Sequence, residues 1–251
     1  MAQSGYGRIR YFNDFLGAEI PVATNVAYGT TAGGCNYYLG EFKVTGDIDN
    51  TDSGAVSLAR SGGWIRLTGT DVNGEGLAVG TEAIFSPSLM GTLAIEARVS
   101  TQALTARCLF VGFCDANADA VVEPMRSTGT THTMVASDLC GFIFDSQLTA
   151  STTWHAVYNG GSTTGATDST ATTTSVVAVA NTAQVLRVEI DPNGTARYYI
   201  DGVIKSTVAG AASTTVLQAG LVGVWGTTTT VSDFDVDYIA LEANRNWVTT
   251  D

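Results

Sequence analysis

Three carboxylates recur with period two near the end of the chain: Asp233, Asp235 and Asp237, within VSDFDVDYIALEA at 231–243. On a strand that spacing puts all three on one face, where they could supply part of the roughly six to eight oxygens a Ca²⁺ ion takes. The excursions at 115–138 and 159–175 could add carbonyls. The same aspartates read first as a solvated acidic edge that discourages sheet-to-sheet pairing, with the ion site as the lesser reading. Ca²⁺ is the one candidate ion, and no other cofactor is expected. His132 and His155 stand neither at metal-ligand spacing nor beside a serine or cysteine in a nucleophile turn, which leaves them surface or hydrogen-bonded roles. Cys35, Cys108, Cys114 and Cys140 form no C-x-x-C pair, and three lie among apolar strand residues, so they read as reduced, mostly buried thiols. Trp64 and Trp225 fall inside strands and read as core. Trp154 and Trp247 are the better candidates for exposure and, with Tyr37 and Tyr38, for contact with a glycan or a protein partner.

The elements that must position these groups are strands. In 184–208, QVLRVEIDPNGTARYYIDGVIKSTV, apolar Leu186, Val188 and Ile190 alternate with Arg187 and Glu189, and Ala196, Tyr198 and Ile200 alternate with Arg197 and Asp201. Asp191-Pro192-Asn193-Gly194 and Asp201-Gly202 supply turns between them, so the stretch is a three-stranded antiparallel meander. GTLAIEARVST at 91–101 is the longest clean alternation, a strand with one wet face, whereas RCLFVGFC at 107–114 is apolar on both sides, as a covered central strand would be. Gly112 marks a bulge or a close approach of another strand. Residues 8–15 read as a first strand, 18–39 as an extended arm, and 41–46, 54–60, 64–69 and 76–80 as short strands between turn clusters. The segment 159–175, rich in Gly, Thr and Ser, is expected to be a mobile, exposed loop. No repeat and no composition break divides the 251 residues, which implies a single domain with an N-terminal tail at 1–7 and a C-terminal tail at 244–251.

A formal charge of −12 argues against a nucleic-acid groove or an anionic membrane surface as partner. With charged residues at only 14%, long charged helical faces are missing. The N-terminus lacks the pattern of a secretory leader and no apolar run approaches a membrane span, so the expectation is a chain made in a cytoplasm.

The order of elements resembles a concanavalin A-like, laminin G-like jelly roll, an all-β sandwich of two antiparallel sheets. The residues that carry the resemblance are the long strand before LFVGF (109–113), the V-E-I-x-x-x-G-x-x-x-Y-Y-I-D-G run at 188–202 and the closing D-V-D-Y-I-A-L-E at 235–242. The resemblance implies that the segment 231–243 returns beside the first strand. A narrower one lies in F-V-G-F-x-D (110–115), A-x-D-x-x-G-F-I-F-D (136–145), STTW (151–154) and the closing D-V-D-Y-I-A, which look like the jelly-roll structural proteins of tailed bacteriophages. It implies a capsid decoration or cement protein on the outer surface of the virion. Such a chain is made in the host cytoplasm, is homo-oligomeric (a trimer being one form), and is bound to the major capsid protein or another virion protein. The alternative it leaves open is a lectin-like, carbohydrate-binding module of a tail or head fibre. Sugar hydrolases also use this fold, with carboxylates crowded on one strand. Here Glu96 has no acidic partner at two or four residues, Glu189 is followed only by Asp191 at a turn, and Asp-x-Asp-x-Asp lacks a glutamate pair. The expectation is therefore a protein that is not an enzyme.

Overall fold

The structure, a computed structural model, describes residues 7–16, 37–46, 54–69, 73–116, 123–227 and 231–245. Short β-strands joined by Gly, Asp, Asn and Ser turns account for nearly all of it. Only two one-turn helices interrupt them, α1 (Pro87–Met90) and α2 (Ser169–Thr172).

Sheet A runs, in spatial order, β16 (Val203–Val208), β15 (Ala196–Ile200), β14 (Gln184–Ile190), β7 (Leu93–Ser100), β18 (Asp233–Asn244), β5 (Ile65–Thr68) and β4 (Gly54–Ser57). The twelve-residue β18 splits its far side. Positions 233–236 pair with β5, and positions 239–244 pair antiparallel with β1 (Arg8–Asn13), as the closing strand was expected to do. Sheet B runs β13 (Thr173–Val177), β12 (Thr153–Asn159), β11 (Leu139–Asp145), β8 (Cys108–Cys114), β17 (Ala219–Trp225), β6 (Gly76–Gly80), β3 (Phe42–Gly46) and β2 (Tyr37–Leu39). A separate hairpin, β9 (Met125–Thr128) and β10 (Thr131–Met134), completes the set.

The meander adopts the turns its residues dictate. Asp201 and Gly202 both take positive φ (51° and 75°), the conformation whose twist matches the flanking strands, and Gly194 sits at φ 79°. Leu186, Val188, Ile190, Ala196, Tyr198 and Ile200 all face the core, as their alternation requires. That core lies between the sheets. Leu93, Ile95, Ala97 and Val99 of β7 meet Leu109, Val111 and Phe113 of β8 and Phe142 and Phe144 of β11. Each of the larger of these, Val, Leu, Ile or Phe, contributes about 1.5–3 kcal/mol by leaving water. Two hydrogen bonds tie the layers: Trp154 Nε1 donates to Gln184 Oε1 at 2.9 Å, and Tyr198 Oη donates to the Val157 carbonyl at 2.9 Å.

Gly112 is a close approach rather than a bulge. A Cβ there would run into the Cys140 carbonyl oxygen and Gly141 Cα of β11, its ladder partner. One sequence expectation needs correction. The segment 159–175 holds α2 and the start of β13, and Ala166, Ser169 and Thr172 are buried, because Asp168 caps α2 by accepting from the Thr170 amide at 2.8 Å. Within the 115–138 excursion, expected to be a functional loop or a peripheral flap, Met125–Met134 form the β9–β10 hairpin, which lies over sheet B as such a flap would. Most of the 18–39 arm, with Cys35, lies outside the described residues; its last part forms β2.

Candidate functional site

The three aspartates of β18 do share the outer face of sheet A, and each meets an arginine there. Asp233 Oδ1 lies 3.0 Å from Arg107 Nε. Asp235, 1% exposed, accepts from Arg66 Nε at 2.7 Å and Nη2 at 3.2 Å, and Arg60 Nη1 lies 2.7 Å from its Oδ2. Asp237 Oδ2 accepts from Arg98 Nη1 at 2.5 Å. A register shift between Val236 and Tyr238 turns two consecutive side chains outward, so Tyr238 Oη reaches Glu96 Oε1 at 2.7 Å beside the Asp237 pair. The carboxylates are thus engaged by cations and form neither a solvated edge nor a converging oxygen shell. Among the described residues, no group of three or more His, Cys, Asp or Glu is placed to hold a metal ion.

The same face continues as a ladder of opposite charges across β7, β14 and β15. Arg187 bonds Glu189 at 2.8 Å, Arg197 bonds Asp191 through two nitrogens at 2.5 and 2.6 Å, and Tyr199 Oη donates to Glu189 at 3.1 Å. The guanidinium carbons of Arg60 and Arg98 lie over the Trp64 ring, 5.5 and 5.2 Å from its centroid. At one end of this face an open polar recess of about 300 Å³ is lined by Arg8, Thr92, Ala94, Arg187, Glu242, Ala243 and Asn244.

The outer face of sheet B is different. Cys108, Phe110, Cys114, Leu139, Ile143, Val157, Leu221 and Trp225 form a second apolar cluster, closed by Met125 and Ala136 from the hairpin and its exit. Between hairpin, sheet and α2 runs a buried polar chain. Ser127 Oγ lies 2.9 Å from His132 Nδ1, His132 Nε2 lies 2.9 Å from Thr172 Oγ1, and Thr172 Oγ1 lies 3.2 Å from His155 Nδ1. His155 Nε2 lies 3.1 Å from Thr153 Oγ1, and Ser127 also bonds Asp145 through its hydroxyl and its amide. Burial and then the neighbouring His155 lower the pKa of His132 to about 4, while burial raises that of the Asp145 carboxyl to about 6. Burial likewise raises Glu123, against the pull of Arg126, with which it pairs. Burial keeps the described thiols protonated by the same cause, raising Cys108 and pushing Cys114 and Cys140 each to about 12.

Trp154 is not an exposed contact residue. It is 2% exposed and packs at 5.5 Å from Phe144 and 6.5 Å from Phe234, because its place on β12 turns it inward, away from His155. Trp247 and the side chain of Tyr37 lie outside the described residues. Tyr38, on the edge strand β2, is 56% exposed. The sequence reading missed the histidine chain; the usable signal was Gly129 (φ 62°) at the centre of an alternating Ser/Thr/His run, which is a hairpin. It also missed a second recess of about 320 Å³, lined by Ile9, Ile84, Ser86, Leu89, Met90, Leu217 and Arg245, where Ile84, Leu89 and Leu217 are about half exposed.

No protein-family model matches the sequence, and no curated protein matches it. Solved structures do share the fold. A protein of unknown function from Shewanella oneidensis MR-1 superposes with a TM-score of 0.54 at 14% identity over 97% of this chain and 90% of its own. The carbohydrate recognition domain of Emp47p gives 0.51 at 11% identity over 82% and 89%, and the β-glucanase of Bacillus licheniformis gives 0.51 at 12% over 94% and 98%. The glucanase corrects one expectation from the sequence, that the chain is not an enzyme: a glucan hydrolase stands among the chains of this architecture, so the architecture is no ground for setting catalysis aside. With its two large antiparallel sheets and these structural neighbours, the protein is an all-β, concanavalin A-like jelly roll.

Proposed function

We propose that the chain is a structural component of a tailed-bacteriophage particle, a decoration or cement protein on the outer surface of the head that contacts the major capsid protein or another virion protein. The observation that carries this reading is the recess beside α1, where Ile84, Leu89 and Leu217 stay about half exposed around Ile9 and Met90. Clustered large apolar side chains at a surface suit a protein partner. The run of motifs from FVGF to DVDYIA supports the same setting. The mechanism is mechanical: a rigid sandwich bridges coat subunits, and each contact of at least about 800 Å² per partner adds to the free energy needed to open the lattice. The test is mass spectrometry of purified particles, with recombinant chain added back to heads that lack it. High copy number in the particle is expected, together with a loss of at least tenfold in head binding for Leu89→Asp. Absence from the particle refutes the reading.

A second reading, glycan binding at a fibre or head surface, is favoured by the carbohydrate recognition domain that shares the fold. Its place is the polar recess, where Arg8, Thr92 and Asn244 offer hydrogen bonds to hydroxyls. A glycan array read against Asn244→Ala tests it: binding that the substitution weakens supports it, and an array without hits removes it.

A further inference from the structure

The β9–β10 hairpin closes the outer face of sheet B by two kinds of joint. Its tip is held by main-chain bonds to the neighbouring loops: the Gly129 amide donates to Gln147, Thr149 to Gly129, His132 to Thr167 and Ser169 to Thr130, all between 2.7 and 3.1 Å. Its flank is held by the histidine chain. Both rings in that chain are essentially excluded from water, and their centroids are 5.6 Å apart.

With both rings neutral, one arrangement of hydrogens satisfies every contact in sequence. Thr153 O–H donates to His155 Nε2, His155 Nδ1–H to Thr172, Thr172 O–H to His132 Nε2, His132 Nδ1–H to Ser127, and Ser127 O–H to Asp145. A proton added to His132 puts an N–H against the Thr172 O–H, and one added to His155 faces the Thr153 O–H, with the Ala150 and Ser169 carbonyls drawing only the His155 ring. The hydroxyls can yield, since Thr153 can turn to the Ala150 carbonyl at 3.0 Å and Thr172 to the Ser169 carbonyl at 3.2 Å. The charge cannot. Among the described residues no carboxylate bonds either imidazole directly: Asp145 on β11 lies beyond the Ser127 hydroxyl, Glu123 is taken by Arg126 of β9, and Asp168 attracts His132 only from the exposed cap of α2. Two cationic rings in this space repel one another across the joint between β10 and β12.

We propose that the hairpin is an acid-released latch: protonation of both His132 and His155 forces β10 away from β12 and α2 and bares the apolar outer face of sheet B while the sandwich itself stays folded. His132, whose pKa is lowered to about 4 by burial and by His155, sets the acid limit of the release; burial lowers His155 in the same direction, and Asp145, raised to about 6, is protonated by then and offers no counter-charge.

Amide hydrogen exchange of the full chain, corrected for the intrinsic effect of pH and followed from pH 7 to pH 4, tests the latch. The amides of Gly129, His132, Thr149 and Ser169 should lose at least tenfold in protection at pH 4, while those of Leu186 and Val188 in β14 keep theirs. His155→Gln, which leaves a single ionisable ring, should abolish the difference, with His132→Gln as the second variant should the first not fold. The latch is overturned by joint amides that stay protected at pH 4, by β14 amides that fail at the same pH, or by a folded single-histidine variant that opens as the wild type does.

Discussion

Replacing Asp235 by asparagine removes one charge and almost no volume from the outer face of sheet A. The carboxylate is 1% exposed and holds three contacts: Arg66 Nε at 2.7 Å, Arg66 Nη2 at 3.2 Å and Arg60 Nη1 at 2.7 Å. A hydrogen bond to a charged group contributes about 1.5–3 kcal/mol. The Arg60 side chain is 38% exposed, so its share falls towards the ~0.2–1 kcal/mol of surface pairs. Losing one partner of a buried pair costs about 3–5 kcal/mol because the other charge stays behind. Arg66 is only partly buried, and the asparagine oxygen can still accept from Nε, which places Asp235→Asn near the low end, about 3 kcal/mol. In a chain of 251 residues that is a fall in Tm of about 6–12 °C. Urea unfolding should show the midpoint move with the slope unchanged. The double variant Arg66→Met, Asp235→Leu, which removes the buried pair and leaves only the partly exposed Arg60 without its carboxylate, should come within about 1 kcal/mol of wild type, because Arg60 reaches solvent and keeps its place on the Trp64 ring. Added Ca²⁺ should leave the wild-type Tm where it is. A loss below about 1 kcal/mol in Asp235→Asn, or a calcium-dependent rise in Tm that disappears in it, would refute the ion-pair account of this strand.

Trp154→Ala should destabilise by about 3–5 kcal/mol by opening a cavity between Phe144 and Phe234; a variant of wild-type stability would place the ring at the surface after all. Gly112→Ala should fail to give soluble, folded protein, since its Cβ meets main-chain atoms of β11 that cannot swing away; normal expression and an unchanged melting curve would contradict that. For Asp145 the folded-state pKa of about 6 lies above the unfolded value near 3.8, so its contribution is present in full below about pH 3.8 and is lost as pH rises through 6. The full swing is about 3 kcal/mol at 1.36 kcal/mol per pH unit. Asp145→Asn has no such loss, so its stability relative to wild type should climb by about that amount between pH 4 and pH 7.5; urea midpoints that run parallel across this range would refute the buried-carboxyl assignment.

The sandwich was legible because its signals are local. Alternation along 184–208 and 91–101, the turns at 191–194 and 201–202 and the doubly apolar run at 107–114 each follow from backbone geometry over a few residues. The return of β18 beside β1 came from the order of elements, which the family resemblance supplied. The chemistry of the surfaces was not legible, since it depends on which arginine lies across from which carboxylate. Arg66 and Asp235 are 169 residues apart and meet only through the β5–β18 register. Trp154 shows the cost of judging exposure from a loop-like neighbourhood: one step along β12 decides between the core and the hairpin side, where His155 sits. The histidine chain was hidden for a similar reason. Ser127, His132, Thr153, His155 and Thr172 carry no spacing that names them, and only the folding of the hairpin over β12 collects them.

The long strand β18 is flanked on one side by β7 and on the other by two strands from the first third of the chain, β5 and β1. Arg8 faces Asn244 and Asn13 faces Ile239, so this ladder joins residues more than two hundred positions apart. Loop-closure entropy makes such a pairing slow to nucleate, and contacts of that sequence separation reward the chain only after the intervening strands have condensed. Sheet A is therefore completed in the order opposite to its spatial layout: the β14–β15–β16 meander can form early and alone, and the central position is filled last. Until then β7 and β5 are temporary edges with unpaired backbone groups, which exposes the newly made protein to strand exchange between copies during the interval before β18 docks.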